Sequence, residues 1–505
     1  MNEYSSSYWI ETAPPGMPFP ALDSDLNVDV AVIGAGIAGI STAWELARRG
    51  RSVALLEADR IAAGVTGHTT AKLTALHTLI YERLRRTRGI ESAKLYGHSQ
   101  MGALRRAAEI VDQLGIDCDW EETPAFTYTC DRDRTHLLRA EAETASVAGL
   151  PAEYVTQTEL PFPVAGAVRV TEQVQFHPRK YLLALTDDLC HMGASLHEYT
   201  RVVGLSEGDY CRLTTESGGV VTATDVVVAT HYPIFDRALL FTRLSPRREL
   251  VLAAPIDADR DPHGMYINPE EGIRSLRSAP CQDGKRLLIV TGEHFTPGSP
   301  DVEERFARLA DWAIDHFGNV SFTHRWATQD NDSTDSVPFI GPLHVASRHT
   351  YVATGFGGWG MSSGILAGQL LAGLIDGRTF SWTKLYDPRR VASTIREGPA
   401  FLKHQARVAK HFLGDRLPLL SGGRVDDISP GDGAVLRLGT HVCAVHRDKE
   451  GQLHTVSARC THQGCLVAFN RAEQAWECPC HGSRFDRDGK VVHGPATRAL
   501  ERREH

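Results

Sequence analysis

Long apolar runs are scarce in this chain. The longest, Ile365–Ile375, is too short for a bilayer and contains Gln369, so no membrane span is expected. A surplus of positive charge is missing too. Lysine and arginine total 54 against 62 aspartates and glutamates, a net charge of −8, which leaves no footprint for nucleic acid. The first 26 residues are polar and proline-rich. They hold no basic segment leading into an apolar one and no twin-arginine signal, so no export is expected and the location is read as cytoplasmic. Internal repeats and low-complexity tracts are absent. Cysteine is modest, at 10 residues. Six of them, Cys118, Cys130, Cys190, Cys211, Cys281 and Cys443, lack paired spacing and read as reduced thiols. At 505 residues the chain is too long for one core, and two or three units are expected.

The other four cysteines stand in two short segments near the C-terminus. These read Cys460-Thr-His462-Gln-Gly-Cys465 and Cys478-Pro-Cys480-His481-Gly-Ser483. One Cys and one His from each give C-x-H-x15-C-x2-H, the ligand set of a Rieske [2Fe–2S] cluster, with Cys460, His462, Cys478 and His481 as ligands. Thiolates stabilise ferric iron, and neutral imidazoles remove negative charge, so such a cluster takes up an electron readily. Zinc also binds Cys and His, but it does not need both segments at this spacing. The segments resemble those of the Rieske proteins of cytochrome bc complexes. That resemblance implies a disulfide between Cys465 and Cys480, a hydroxyl donated by Ser483 to a bridging sulfide, and a cover loop at Gly494-Pro495. Those proteins carry a Tyr where this chain has Phe485, which implies one donor fewer and a lower potential.

At the other end, Val28–Ile33 is apolar and β-branched and predicts a buried parallel strand. Gly34-Ala-Gly36-Ile-Ala-Gly39 follows, then a helical stretch over 40–49 and a second strand over 53–56 closed by Glu57. This is the dinucleotide-binding pattern, with glycines under a pyrophosphate and Glu57 on a ribose diol. The motif alone does not choose between FAD and NAD. Later segments do, through resemblance. Gly64-Val-Thr66-Gly67-His68-Thr69-Thr70-Ala-Lys72 resembles the flavin loop of the D-amino-acid oxidase/glycine oxidase superfamily. Thr224 to Thr230 is similar to its strand returning under the cofactor. Asp335 to Gly341 and Tyr351 to Gly358 are similar to its closing strand and second flavin turn, which brings in Gly355 and Gly357. The resemblance implies FAD, and an amine or amino-acid C–N bond as the point of oxidation. The place of His68 is similar to that of the histidine linked covalently to FAD in dimethylglycine and sarcosine dehydrogenases; a non-covalent His near the flavin fits the sequence as well.

The expected fold is an α/β FAD-binding domain of the Rossmann-like, glutathione-reductase/D-amino-acid-oxidase type, with a β-rich substrate layer, followed by a small all-β Rieske domain. Residues 1–380 would form the oxidoreductase, with the layer at about 239–322 and a helix at 302–317. A linker with a helix at 394–413 would fill 381–418, and the Rieske domain 419–505. Within the first part, 27–90, 145–235 and 330–376 would build the flavin domain, with a helical insertion between Glu91 and Gly115. The sequence names no catalytic residue outright. His177, His231, His294 and Arg277 are the candidates, with Tyr232, Trp326 and Trp359 near flavin segments and Arg274 as a second carboxylate anchor. Each has an ordinary structural alternative.

The expected function is a dehydrogenase that passes electrons singly through the cluster to an external one-electron partner. The alternative is an electron-transfer or reductase protein serving a partner oxygenase. No second nucleotide motif is present for a nicotinamide, and too little chain follows His481 for an oxygenase iron domain. A non-enzymatic carrier is disfavoured by the flavin segments, and the direction of electron flow is open to either sense.

Overall fold

A computed structural model describes residues 7–14, 16–235, 240–390 and 424–503. The predicted linker helix at 394–413 and the domain boundary at 417–423 lie outside the described residues.

The first layer is a mostly parallel sheet that begins where the sequence predicts it. Leu26–Ile33 pairs in parallel with Val53–Leu56 on one side and Val220–Val228 on the other. Ser195–His197 extends it beyond Val53–Leu56, and Thr350–Thr354 pairs with the C-terminal part of Val220–Val228. The central residues Val30–Ile33 are fully buried, as strands covered on both faces must be. Two helices, Ile37–Ala47 and Gly360–Ile375, cover one face. Their close approach depends on missing side chains: a Cβ on Gly368 would stand 2.7 Å from the Ser41 backbone. The long helix Ile90–Leu114 fills the predicted insertion and ends on Gly115 in the left-handed region.

The second layer is an eight-stranded sheet. Its order is His324–Ser333, Leu244–Ile256, Arg286–Phe295, Arg274–Pro280, Met265–Ile267, Ala125–Thr129, Gly166–Val170, Ala152–Val155. It draws on more of the chain than the expected 239–322. Three strands come from 125–170, part of which the sequence assigned to the flavin domain, and the sheet runs on to Ser333. The reason for the miss is polarity: His324–Ser333 carries Gln329, Asp330, Asn331 and Asp332, yet alternates buried and half-buried as a strand does. Helix Val302–Phe317 packs its apolar stripe of Phe306, Leu309, Ala313 and Phe317 against this sheet.

The C-terminal part is all β. Asp432–Leu438, His441–Arg447 and Leu453–Ser457 form one antiparallel sheet; Ala468–Asn470, Ala475–Glu477, Arg484–Phe485 and Val491–His493 form another. Phe485 and Trp476 lie fully buried in its core, beside Cys460, Cys465, Cys478 and Cys480. Among the described residues no helix is long and apolar enough to cross a membrane.

Candidate functional site

The glycine loop is built as a dinucleotide cradle. Gly34 has φ +99, and its N–H donates to the Leu56 carbonyl at 2.8 Å. A Cβ on Gly39 would stand 1.8 Å from the Gly34 carbonyl oxygen, so only glycine lets helix and loop close here. Glu57 accepts from Ala35 N at 2.8 Å and Asp59 N at 3.0 Å; burial raises its pKa. Thr66 Oγ1 accepts from Ile37 N at 3.1 Å and so caps the helix start. Gly34, Gly36, Glu57, Thr66, Thr69, Thr70 and Thr230 line one cavity, together with His231 and Asp330. Gly355, Gly357, His294 and Trp359 line a second cavity of about 750 Å³ that shares Thr69, Thr70 and Glu249 with the first. Gly39 and Gly67 line neither cavity; a Cβ on Gly67 would stand 2.7 Å from the Ala62 carbonyl oxygen.

The second cavity is lined by charge. Arg247 pairs with Glu249 at 3.2 Å and Asp332 at 3.3 Å, and His294 Nε2 meets Glu249 at 2.7 Å. Burial pushes the Glu249 carboxyl up, but His294 and Arg247 outweigh it and hold the group at about 2. Lys72 is buried on the same wall, where desolvation and then Arg277 bring its amine down to about 7. His77, stacked on Trp359 at 4.5 Å, is brought down to about 3 by burial. Lys72, Arg247, Glu249, His77 and Asp332 were not candidates from sequence. Lys72 closes the segment that resembles the flavin loop, and that adjacency is the one signal for it in the sequence.

Several of the candidate residues are engaged in structural contacts. His177 caps helix Pro178–His191, with Nδ1 accepting from Lys180 N at 3.3 Å and Nε2 bonded to Thr12 at 2.9 Å. Arg277 is buried and its guanidinium is spent on the carbonyls of Ser278, Ala71 and Phe176, so it does not serve a substrate carboxylate. Arg274 is engaged by Glu293 at 2.6 Å. Trp326 donates to the His68 carbonyl at 2.8 Å. His68 lines neither cavity: its Nδ1 bonds to the Gly64 carbonyl at 2.9 Å, and burial lowers its pKa.

In the C-terminal domain the two ligand loops meet. Cys465 and Cys480 are joined by a disulfide. The His462 and His481 rings lie 4.9 Å apart and nearly perpendicular. Cys460 and Cys478 are within hydrogen-bond reach of each other, and Ser483 bonds to Cys460 while its Oγ accepts from Ala496 N at 3.0 Å. His462 Nδ1 is buried without a hydrogen-bond partner, a donor set that suits iron coordination. The chemistry therefore fits a mixed sulfur and nitrogen cluster better than a set of buried, idle thiols and imidazoles.

The two sites share a wall. Tyr232, directly after cavity residues Thr230 and His231, presents its ring to His481 at 5.9 Å and His462 at 6.4 Å. Phe241 meets His481 at 5.9 Å. From the other side, His493, Gly494, Ala496 and Thr497 of the cluster's cover loop line the flavin cavity, and His493 Nε2 meets His231 Nδ1 at 3.1 Å.

Comparison with known proteins agrees with this construction. A family model described as "DAO: FAD dependent oxidoreductase" matches residues 29–374, and one described as "Rieske [2Fe-2S] domain" matches 421–503. The chain is 34% identical over 505 residues to the Bacillus subtilis (strain 168) protein YhfW, named for a Rieske 2Fe-2S iron–sulfur centre, covering 99% of this chain and 98% of that one. It is 24% identical over 389 residues to the gamma-glutamylputrescine oxidoreductase of Escherichia coli (strain K12), over 75% of this chain and 90% of that one. Glycine oxidase from Geobacillus kaustophilus shares the fold with a TM-score of 0.60 at 20% identity, over 72% of this chain and 99% of that one. The cofactors that go with these two domains are FAD and a [2Fe–2S] cluster. The chain belongs to the FAD-dependent oxidoreductase family of the D-amino-acid oxidase type and carries a Rieske [2Fe–2S] domain after it.

Proposed function

We propose that this protein is a dehydrogenase that oxidises the C–N bond of a small amine or amino acid at FAD and hands the electrons one at a time through the cluster to an external acceptor. A flavin takes two electrons as a hydride and releases them singly, whereas a Rieske cluster takes one. Both in one chain make a splitter. The observation that carries this reading is Tyr232: its chain neighbours line the flavin cavity and its ring meets both imidazole ligands. Both imidazoles that would ligate the cluster lie against flavin-domain side chains, Tyr232 and Phe241, which supports electron exchange between the two cofactors. The names of the E. coli relative and of the Geobacillus neighbour support an amine or amino-acid substrate.

The test is anaerobic mixing of the holoprotein with glycine, sarcosine, putrescine and gamma-glutamylputrescine. A true substrate bleaches the flavin, and the paramagnetic signal of the reduced cluster follows. Bleaching with no cluster signal would defeat the splitter. In Tyr232→Leu the bleaching rate should hold while the cluster signal is delayed by about tenfold or more, because the ring that bridges the wall to the ligands is gone.

A further inference from the structure

Lys72 is a buried amine on the wall of the second cavity. It opens the short strand Lys72–Leu73, two residues after Thr70, and Thr69 and Thr70 belong to both cavities. Nζ donates to the Tyr266 carbonyl at 2.8 Å and to the Ser275 hydroxyl. Those two neutral acceptors use two N–H bonds and leave a neutral amine its lone pair. The charges acting on Nζ are Arg277 on Arg274–Pro280 and Glu249 on Leu244–Ile256. Around the same cavity Arg247, His294 and Asp332 are tied into the ion pairs of Glu249 and Arg247, and His77 faces it as a neutral, buried ring.

We infer that Lys72 is the proton acceptor for the bound substrate ammonium. This rests on the amine reading above. A C–N bond is oxidised only from the free amine, because an ammonium nitrogen has no lone pair to form the C=N bond. The balance is simple. The ammonium loses one proton to Lys72 Nζ. The adjacent C–H bond gives its hydride to the flavin, the two-electron acceptor of this family, and the nitrogen lone pair becomes the second C–N bond of an iminium. Lys72 then returns its proton to water through the cavity mouth. Burial, which brings Lys72 to about 7, also makes a bound ammonium more acidic, so the two amines exchange a proton near neutral pH.

Two measurements on the holoprotein test this. In the first, brief acylation with acetic anhydride between pH 5 and 10, read by mass at Lys72, reports its basicity without any substrate. Reactivity should rise with a midpoint near pH 7; a midpoint above about pH 9 overturns the inference. In the second, anaerobic flavin bleaching by sarcosine and putrescine is followed against pH in wild type and Lys72→Met. Wild type should accelerate through the acylation midpoint. Lys72→Met should bleach about 10²–10⁴-fold more slowly and lose that rise, with its FAD content and flavin spectrum unchanged. A Lys72→Met protein with the wild-type pH profile overturns the inference. If acylation behaves as expected but none of glycine, sarcosine, putrescine and gamma-glutamylputrescine bleaches wild type, the amine reading fails, and the assigned role of Lys72 falls with it.

Discussion

Arg247 and Arg248 are neighbours on one strand and belong to different machines. Successive side chains on a strand point to opposite faces. Arg247 and Glu249 therefore enter the second cavity, while Arg248, fully buried, enters the Rieske domain between Glu473 and Glu477. The next strand repeats the pattern. Thr328 and Asp330 line the flavin cavity, and Gln329, opposite Arg248 in register, donates to the Gly482 carbonyl at 3.0 Å. One two-stranded ribbon is thus the floor of the flavin site on one face and the dock of the cluster on the other. Both faces are held by buried charge, but of different kinds. The cavity face keeps its ion pairs around open space. The docking face is filled by side chains, with Arg248 and Glu477 fully buried: Arg248, Glu473, Glu477 and Arg484 interlock with Asn470, and Gly298 N donates to Glu477 at 2.8 Å.

The largest expected effect comes from breaking the closed face. Arg248→Met leaves Glu473 with Arg484 alone and strips Glu477 of its nearest cation, at a cost of about 3–5 kcal/mol. The protein should melt earlier, and cluster reduction should lag flavin bleaching far more than in wild type. The bleaching step itself should survive in the folded fraction. Rapid-mixing spectroscopy with thermal melts reads both.

Glu249→Gln breaks the other face and should reverse the pattern, slowing bleaching while leaving docking intact. The acid dependence gives its sign. Glu249 titrates at about 2 in the fold against about 4.5 unfolded, so its stabilisation is complete above about pH 4.5 and lost as pH falls toward 2. That shift corresponds to about 3 kcal/mol. Glu473, held at about 2 by Arg248 and Arg484 against burial, weakens in the same window. Acid alone therefore loosens both faces. The stability difference between wild type and Glu249→Gln should shrink below about pH 4.5; a difference unchanged down to pH 3 would mean the carboxylate is not held by these partners.

The cluster was legible because its chemistry is local: two short segments carry both ligand pairs, and spacing alone specifies them. The glycine loop was legible for the same reason. The wall between them was not. Tyr232 meets His462 and His481 only after the chain folds back, and nothing near Tyr232 in sequence points to iron. Polar strands hid as well, since His324–Ser333 lacks the apolar alternation that marks a strand. Two of the structural alternatives had a usable signal. His177-Pro178 opens a helix, where proline favours the first turn and a side chain before it serves as a cap. Arg277 sits inside a strand whose neighbours Leu276 and Ala279 are buried, so burial rather than substrate was the simpler expectation.

The smallest perturbation separates the two faces most cleanly. Gln329→Ala removes one neutral hydrogen bond, at a cost of about 1 kcal/mol, and leaves the Gly482 carbonyl to be solvated or orphaned. Gly482 lies between ligand His481 and Ser483, at φ +78 with Pro246 against it, so its backbone has little room to adjust. The ion pairs of Arg248 stay in place and should keep the domain docked. The expectation is a delay in cluster reduction of less than about tenfold, with flavin bleaching, Tm and acid stability close to wild type. Because Thr328 and Asp330 flank Gln329 on the cavity face, the variant also checks whether the strand insulates one face from the other. Slower bleaching in Gln329→Ala, with cluster reduction unaffected, would show that the ribbon couples its faces and would remove the reason to treat dock and floor as separate.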